Sequence, residues 1–378
     1  MEPITHFLTG ACIGRAGLNR KTAYATLAAV LAAEAADLDV LWGLAGPVEG
    51  LKHHRGITHT LVGAPLVAAA VVGAVWLLHR RVQRRRALRQ HEPNAKSGTE
   101  PGAPGPPQPQ QLRWGWVWAS ALIAAYSHIL LDWTNNYGVR PFFPFNAKWY
   151  AGSICFIAEP VLWALLVAAL VFPWLFGLTD REIGARKRRF RGRGWAIFAL
   201  AGMAVLWCWR WGEQAQAKAM LMANPVTDAQ VERVALEPYP VNLYRWHAII
   251  ETPDYYQTAE INTRTGAIVS DDQTSVLYKP RVTAAVEAAK QTRLGRVYLD
   301  WGRWAVVRDV GQEPIPGAEP PRLPPHRTWT TVRFSDLRFA YGFLGEARST
   351  SSSPLGGWVY IVDGHDDAGE YMNGREQK

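Results

Sequence analysis

Five apolar stretches in the first 212 residues decide the solvent in which this chain folds. Each is rich in Ala, Leu, Val or Trp and, with its flanks, is long enough for the helix of roughly 20 residues that crosses a bilayer. Averaged over the chain, the hydrophobic fraction of 48% is that of a soluble protein, so the concentration of apolar residues in one half carries the argument. The stretches are 22–36, 61–78, 114–131, 154–178 and 195–211. They predict an α-helical polytopic membrane domain of about five spans over residues 1–212.

A shorter apolar segment, residues 5–17, precedes these stretches and is followed by Arg20 and Lys21. No basic region lies before it, so we do not expect a cleaved signal peptide. We expect an N-terminal half-helix that descends to a turn at 18–21 and is followed by a helix that returns beside it. At about 1.5 Å per residue, such a hairpin brings His6 to the level of Glu34 and Asp37.

The net charge of +9 is concentrated in two short Arg-rich loops, 79–113 and 179–194. Basic short loops stay in the cytoplasm, so their charge indicates membrane orientation rather than a nucleic-acid surface. Both loops then face the cytoplasm, and everything after Gly212 is extracytoplasmic. Residues 92–111 are rich in Pro, Gly and Gln, which predicts a disordered linker.

Residues 213–378 form a different kind of sequence, with short alternating stretches typical of strands. We expect a small β-rich soluble domain with a turn at 262–266 and helices at 214–223 and 282–290. It contains no Ser/His/Asp set, phosphate loop or Cys-x-x-Cys pair, so a cap, a substrate-guiding surface or a protein-binding module is expected. The predicted strands are 241–251, 255–261, 296–300 with 305–310, 328–334 and 357–362.

Carboxylates and imidazoles cluster at the ends of the apolar stretches. Placing such groups in or near a bilayer costs free energy, so they usually have a functional role there. His128 and Asp132 are spaced i, i+4 and share a helix face, as do Glu34 and Asp37 at i, i+3. Mixed His and carboxylate donors suit zinc, manganese or iron(II), with one or two ions bound. Interfacial acids and hydrogen bonds between helices are the simpler alternatives. The candidate metal ligands are His6, Glu34, Asp37, Asp39, His53, His54, His59, His128 and Asp132.

Four motifs occur in a fixed order: Pro-Ile-Thr-His-Phe-Leu-Thr-Gly from Pro3, Ala-Asp-Leu-Asp from Ala36, His-His-Arg-Gly-Ile-Thr-His-Thr from His53, and Ser-His-Ile-Leu-Leu-Asp-Trp-Thr-Asn from Ser127. As a set they resemble the YdjM-like family of inner-membrane metal-dependent hydrolases, over roughly residues 1–212. The family usually has Pro-Asp-x-Asp; here Ala36 replaces the proline, but both carboxylates remain. A more distant similarity to zinc-dependent phospholipases C hints at phosphoesters. The resemblance implies as site residues His6, Asp37, Asp39, His54, His59, His128 and Asp132.

These observations lead us to expect a hydrolase in which a metal-activated water attacks an ester, including a phosphoester, of a lipid or lipid-linked substrate at the outer face. Asp37, Asp39 or Glu159 would accept the proton. A metal or proton transporter is a rival, although the inner halves of the spans lack the acids that a transport path needs. A membrane scaffold without enzymatic activity is the other rival, and a closed four-ligand structural metal site would favour it.

Overall fold

The structure of the chain is a computed structural model that describes residues 1–90, 110–182, 190–271, 274–341 and 355–377. The expected linker at 92–111 lies outside the described residues except for its last two positions. Residues 183–189 of the second basic loop lie outside them as well.

The chain opens with an antiparallel helical hairpin. Helix α1 (Pro3–Ile13) continues through a π-helical turn (Gly14–Leu18) and α2 (Asn19–Lys21), and α3 (Ala25–Ala35) returns beside it. Gly10 makes the close approach possible, because a Cβ there would lie 2.8 Å from the carbonyl oxygen of Ala29. The predicted half-helix and return helix are therefore both present.

The return helix is shorter than a membrane span. Its 11 residues correspond to about 16 Å, roughly half of the hydrocarbon thickness of a bilayer. The chain then continues as a 3-10 helix (Ala36–Ala45), the short helix α4 (Pro47–His53) and a 3-10 turn (Ile57–His59). The stretch 22–36 was expected to span the membrane with its flanks, whereas the structure ends its α-helix where the carboxylates Asp37 and Asp39 begin.

Among the described residues, four helices are long and apolar enough to cross a membrane. They pair as α5 (Gly63–Gln90) with α6 (Trp114–Thr134) and α7 (Pro160–Glu182) with α8 (Arg193–Ala223). Small and aliphatic side chains fill the interfaces, including Ala124 of α6 against Ala33 of α3. These helices confirm the polytopic membrane domain, with four long spans in the part of the chain described.

The C-terminal region contains two antiparallel sheets, which confirms the β-rich domain. In the first, β2 (Arg245–Glu251) lies between β1 (Arg233–Pro238) and β3 (Tyr255–Asn262), and β3 also pairs with β4 (Ala267–Val269) and β5 (Val276–Tyr278). In the second, the strand order is β10-β9-β8-β7-β6. Its strands are β6 (Ala305–Asp309), β7 (Trp329–Asp336), β8 (Gly357–Val362), β9 (Asp366–Met372) and β10 (Arg375–Glu376).

Two helices precede the second sheet, α9 (Ala284–Gln291) and α10 (Arg293–Trp301). The prediction of a strand at 296–300 was wrong, because these residues lie within α10. The Thr292 hydroxyl accepts a hydrogen bond from Gly295 N and caps the helix. Leu294, Tyr298 and Trp301 are buried at spacing i, i+4, i+7, which is the period of a helix face.

The β-rich C-terminal region lies against the end of the membrane domain where α6 ends and α7 begins. The last turns of α8 contribute Leu221 to the core of the first sheet. Tyr137 and Trp149, from the loop between α6 and α7, join the core formed by α9, α10 and the second sheet. Arg338 donates to the carbonyl oxygen of Asn136 at 2.9 Å, which adds a polar contact between the two parts.

Candidate metal centre

Four side chains from three elements converge at the end of α6. His128 and Asp132 come from α6, His59 from the 3-10 turn and Asp37 from the 3-10 helix after α3. One donor atom of each lies within 4.8 Å of the donor atoms of the other three. His59, His128 and Asp132 are fully buried, whereas the Asp37 side chain is 19% exposed.

The separations of these donor atoms match the edges of a small coordination polyhedron. His59 Nε2 lies 2.9 Å from His128 Nε2 and 3.2 Å from Asp37 Oδ1. Asp132 Oδ2 lies 3.4 Å from each of the two imidazole Nε2 atoms, and His128 Nε2 lies 3.5 Å from Asp37 Oδ1. Ligands at 2.0–2.1 Å in a tetrahedron are about 3.3 Å apart, so the four donors fit a zinc-sized ion.

The partners of the two imidazoles leave both Nε2 atoms as acceptors. His128 Nδ1 lies 2.6 Å from the carbonyl oxygen of Ala33, which fixes the ring proton on Nδ1. His59 Nδ1 lies 3.2 Å from Asp39 Oδ2, which favours the same tautomer. Two lone pairs 2.9 Å apart in a buried site repel each other unless a cation lies between them. The donor set therefore suits a bound metal ion.

Asp39 holds the loop that carries His54 and His59. Its Oδ2 accepts a hydrogen bond from Arg55 N at 2.7 Å, and its Oδ1 lies 3.0 Å from His54 Nδ1. Asp37, Asp39 and His54 form a second group of three donors that can hold a metal ion. This group is less buried, since the His54 side chain is 30% exposed. Asp37 belongs to both groups and connects them.

Asp132 uses its two oxygens differently. Oδ2 faces the two imidazoles, and Oδ1 lies 2.8 Å from Arg55 Nη2. Arg55 is itself buried, donates to the carbonyl oxygen of Gly138 at 2.6 Å, and lies over the ring of Tyr137 at 4.6 Å. Arg55 is not among the candidates from the sequence, because an arginine in a short loop resembles a solvated charge. Its place within the His-His-Arg-Gly motif is the signal that points to it.

His6 lies beside this centre, as the hairpin predicts. Its ring is fully buried and stacks on His128 with 3.7 Å between the ring centroids. Nε2 lies 3.4 Å from Asp132 Oδ1, but neither ring nitrogen makes a hydrogen bond within the described chain. A buried imidazole with two unsatisfied nitrogens is costly, so His6 is a further potential donor on the Asp132 side.

Four of the expected site residues belong to neither donor group: His6, which lies beside the centre, and His53, Glu34 and Glu159. His53 Nε2 lies 3.2 Å from Glu49 Oε2, and its ring stacks on Trp42 at 4.2 Å, outside the centre. Glu34 is half-buried on the last turn of α3, and Glu159 is buried immediately before α7. The structure thus brings together His6, Asp37, Asp39, His54, His59, His128 and Asp132 and leaves the other three at its edge.

Comparison with known proteins identifies a family of membrane proteins for the first part of the chain. The chain is 23% identical over 185 residues to a Bacillus subtilis (strain 168) protein named "Uncharacterized protein YfhP". That alignment covers 47% of each protein, so the chain spans about half the length of the curated relative it matches. No solved structure matches the chain. Residues 1–217, more than half of the chain, match the family described as "YdjM inner membrane protein", and the chain therefore belongs to this family of inner membrane proteins.

Proposed function

We propose that this membrane protein is a metal-dependent hydrolase that cleaves an ester, including a phosphoester, of a lipid or lipid-linked substrate. The observation that carries the proposal is the 2.9 Å separation of the His59 and His128 Nε2 atoms between two carboxylates. Zinc fits this nitrogen and oxygen donor set, and manganese or iron(II) would use the same donors. The two groups that share Asp37 support one or two ions. A bound ion would lower the pKa of a water molecule and polarise the scissile bond.

The protein's own residues orient the donors and provide a place for the proton. Asp39 and the carbonyl oxygen of Ala33 hold the two imidazole rings in the tautomer that leaves Nε2 free. Asp37 is the most exposed of the four central donors. Its carboxylate can therefore contact both a bound ion and a substrate. Asp37 or Asp39 would accept the proton of the attacking water, and His54, 3.0 Å from Asp39, would pass it to solvent.

The location of the centre supports a lipid substrate. The donors lie where α6 ends, at one end of the helical bundle, rather than at mid-span. The 3-10 helix that carries Asp37 and Asp39 also exposes Leu38, Trp42 and Leu44. An apolar surface next to a polar centre suits a molecule that already lies in the bilayer. From the basic loops, we propose that this end faces the extracytoplasmic side.

A second candidate follows from the same geometry. Asp37, His59, His128 and Asp132 supply four donors, which is the number in a closed structural zinc site. The protein would then be a membrane scaffold with a structural metal and an outer domain that binds a protein partner. The exposure of Asp37 and the second donor group at Asp39 and His54 favour the hydrolase, because they leave a position that water and substrate can reach.

The test is metal content combined with hydrolysis by the full-length protein in detergent. Elemental analysis of the parent, His59→Ala and His128→Ala is compared with His326→Ala, which changes an exposed histidine far along the chain. We expect stoichiometric metal in the parent and the control, and loss of metal in the two site variants. Chromogenic carboxylic esters and phosphodiesters, followed by phospholipids, are offered as substrates. We expect the parent to hydrolyse at least one of these ester classes. A chelator should stop the hydrolysis, and added zinc should restore it.

Different results separate the candidates. Metal that survives both site substitutions would show that the ion binds elsewhere. Stoichiometric metal in the His59/His128 site, with no hydrolysis of any ester class and no exchange with added chelator, would support the scaffold.

A further inference from the structure

A cavity of about 760 Å³ lies between the two parts of the chain, next to the metal centre. The 3-10 helix Ala36–Ala45 and helix α4 form one side, and helix α10 of the C-terminal domain forms the other. Its volume falls within the range typical of small-molecule sites. The proposed hydrolytic centre requires no contribution from α10. The side of the cavity that α10 forms must therefore have a different role.

The cavity wall carries more positive than negative side chains. Lys52, Arg140, Arg293 and Arg296 line it, against the carboxylates of Asp39 and Asp300. Asp39 is already engaged by His54, His59 and the backbone N–H of Arg55. Asp300 lies 3.2 Å from Arg140 and is engaged as well. The remaining positive charge favours an anionic ligand.

Arg296 differs from the other positive side chains of the cavity in its lack of a carboxylate partner among the described residues. It is exposed on α10, and its Nη1 donates to the carbonyl oxygen of Gln291 at 2.7 Å. Among the described residues, no carboxylate forms a salt bridge with it. Arg293 is held by Glu49, whose Oε1 lies 3.0 Å from its Nε, and Glu49 also lies 3.7 Å from Lys52. One cavity cation is therefore free to bind a phosphate, and two more share a single carboxylate.

The opposite wall is apolar and continues onto the exposed surface. Leu38, Trp42 and Ile57 line the cavity and are 62%, 51% and 47% exposed. Leu38 and Trp42 belong to the same 3-10 helix as the exposed Leu41 and Leu44. A free inorganic anion gains nothing from such a wall, whereas the glycerol and acyl region of a lipid does.

The cavity reaches the metal centre through Asp39 and Thr58. Both residues line it, and Asp39 contacts His54 and His59 of the two donor groups. A headgroup held between α10 and the 3-10 helix would thus lie next to the carboxylate that we propose as a proton acceptor.

We propose that this cavity binds the phosphate-bearing headgroup of an anionic membrane lipid, with Arg296 and Arg293 of the C-terminal domain contacting the phosphate. The assignment rests on the proposed function, because it names the substrate class of the same centre. It gives the C-terminal domain a definite task, which is to supply the cationic half of the recognition site. The acyl chains would lie along Leu38 and Trp42 towards the bilayer.

The test is equilibrium binding of short-chain lipids to the full-length, chelator-treated protein in detergent. Dihexanoyl phosphatidic acid is compared with dihexanoyl phosphatidylcholine and with inorganic phosphate, using isothermal titration calorimetry. We expect phosphatidic acid to bind at least tenfold more tightly than either of the others. Arg296→Gln and the double variant Arg293→Gln/Arg296→Gln should weaken it about tenfold or more, since each charge-assisted contact is worth that order. Arg296→Lys should restore part of the affinity.

The matched control is Arg264→Gln, which removes an exposed arginine from the turn after β3, outside the cavity lining. It should bind like the parent. Phosphatidylcholine or inorganic phosphate binding as tightly as phosphatidic acid would overturn the assignment. An unchanged affinity for phosphatidic acid in both Arg296→Gln and the double variant would overturn it as well. Metal content is measured on a portion of each preparation set aside before the chelator treatment. Preferential lipid binding by a preparation that held no metal before treatment would contradict the hydrolase alone, and stoichiometric metal before treatment with no lipid preference would contradict the headgroup site alone.

Discussion

Asp39 Oδ2 lies 3.2 Å from His59 Nδ1, on the far side of the imidazole from His128. This contact places a carboxylate behind one of the two nitrogens that face each other in the metal centre. A carboxylate in this position fixes the tautomer and makes the ligand more basic. The α-helix of the return segment ends at Ala35, and both acids lie in the 3-10 helix that follows.

Asp39→Asn should weaken metal binding without abolishing it. The amide can still contact the His59 ring but carries no charge, and changes of this kind typically cost 10–100-fold in metal affinity. Competition with a fluorescent zinc chelator measures the effect. Asp228→Asn, at an exposed position of the C-terminal region, is the control and should bind metal like the parent. Complete loss of metal in Asp39→Asn would make Asp39 a direct ligand instead.

Arg55→Lys should destabilise the metal-free protein. Arg55 contacts Asp132 at 2.8 Å and the carbonyl oxygen of Gly138 at 2.6 Å in a buried site. A lysine keeps the positive charge but cannot reproduce both contacts, and a lost hydrogen bond to a charged group costs about 1.5–3 kcal/mol. Thermal unfolding followed by circular dichroism in detergent measures the loss. Arg322→Lys, at a 91% exposed side chain, should leave the midpoint unchanged. A parent-like midpoint for Arg55→Lys would show that the pair contributes little.

Gly10→Ala should disturb the helical hairpin and, through it, His6. The added Cβ would lie 2.8 Å from both Ala29 O and Ala33 Cβ, so the two helices must move apart. Overpacking of this kind costs about 1–3 kcal/mol. The same thermal experiment measures it, with Gly73→Ala on α5 as control, because a Cβ at Gly73 meets nothing within 4 Å. The control should be neutral or slightly stabilised, since alanine is the better helix former.

The sequence predicts the centre better than it predicts the surroundings. Helical spacing places His128 and Asp132 on one face, and the hairpin argument places His6 beside them; both hold in the structure. The role of Arg55 escapes such reasoning, because its partners Asp132 and Gly138 are distant in the chain. The contacts that make it a structural residue exist only in the folded protein.

In the C-terminal domain, too, local sequence patterns predict single elements but not the contacts between distant parts of the chain. The strand predicted at 241–251 begins at Arg245 in the structure, and the strand predicted at 357–362 is present with those bounds. The turn at 262–266 is also present, as Asn and Gly indicate. Helix α10 resembles a strand over 296–300, because the alternating residues there mask the burial period that begins at Leu294. The approach of this helix to the metal centre depends on how two domains pack, which no local pattern encodes.

Glu237→Gln should remove a pH dependence from the stability of the C-terminal domain. Burial raises the pKa of the Glu237 carboxyl to about 8, from an ordinary value of 4.5, while Arg338 nearby opposes the rise. His247 lies opposite it on β2. Between these pH values the folded protein keeps a proton that the unfolded chain has lost. The contribution of Glu237 to the free energy of unfolding should therefore fall as pH rises from 4.5 to about 8, by on the order of 1.4 kcal/mol per pH unit. Burial lowers the pKa of His247 to about 4, so His247 contributes in the opposite direction up to its ordinary value of 6.5.

Urea unfolding of the full-length protein, followed by tryptophan fluorescence at several pH values, measures this slope. The neutral glutamine has no proton to lose, so the free energy of unfolding of the parent should fall relative to that of the variant over this window, and the variant should be the more stable of the two at pH 8. Glu319→Gln, at an 85% exposed side chain, should keep the parent slope. An unchanged slope in Glu237→Gln would mean that the carboxyl is already ionised in the folded domain, with Arg338 outweighing the cost of burial.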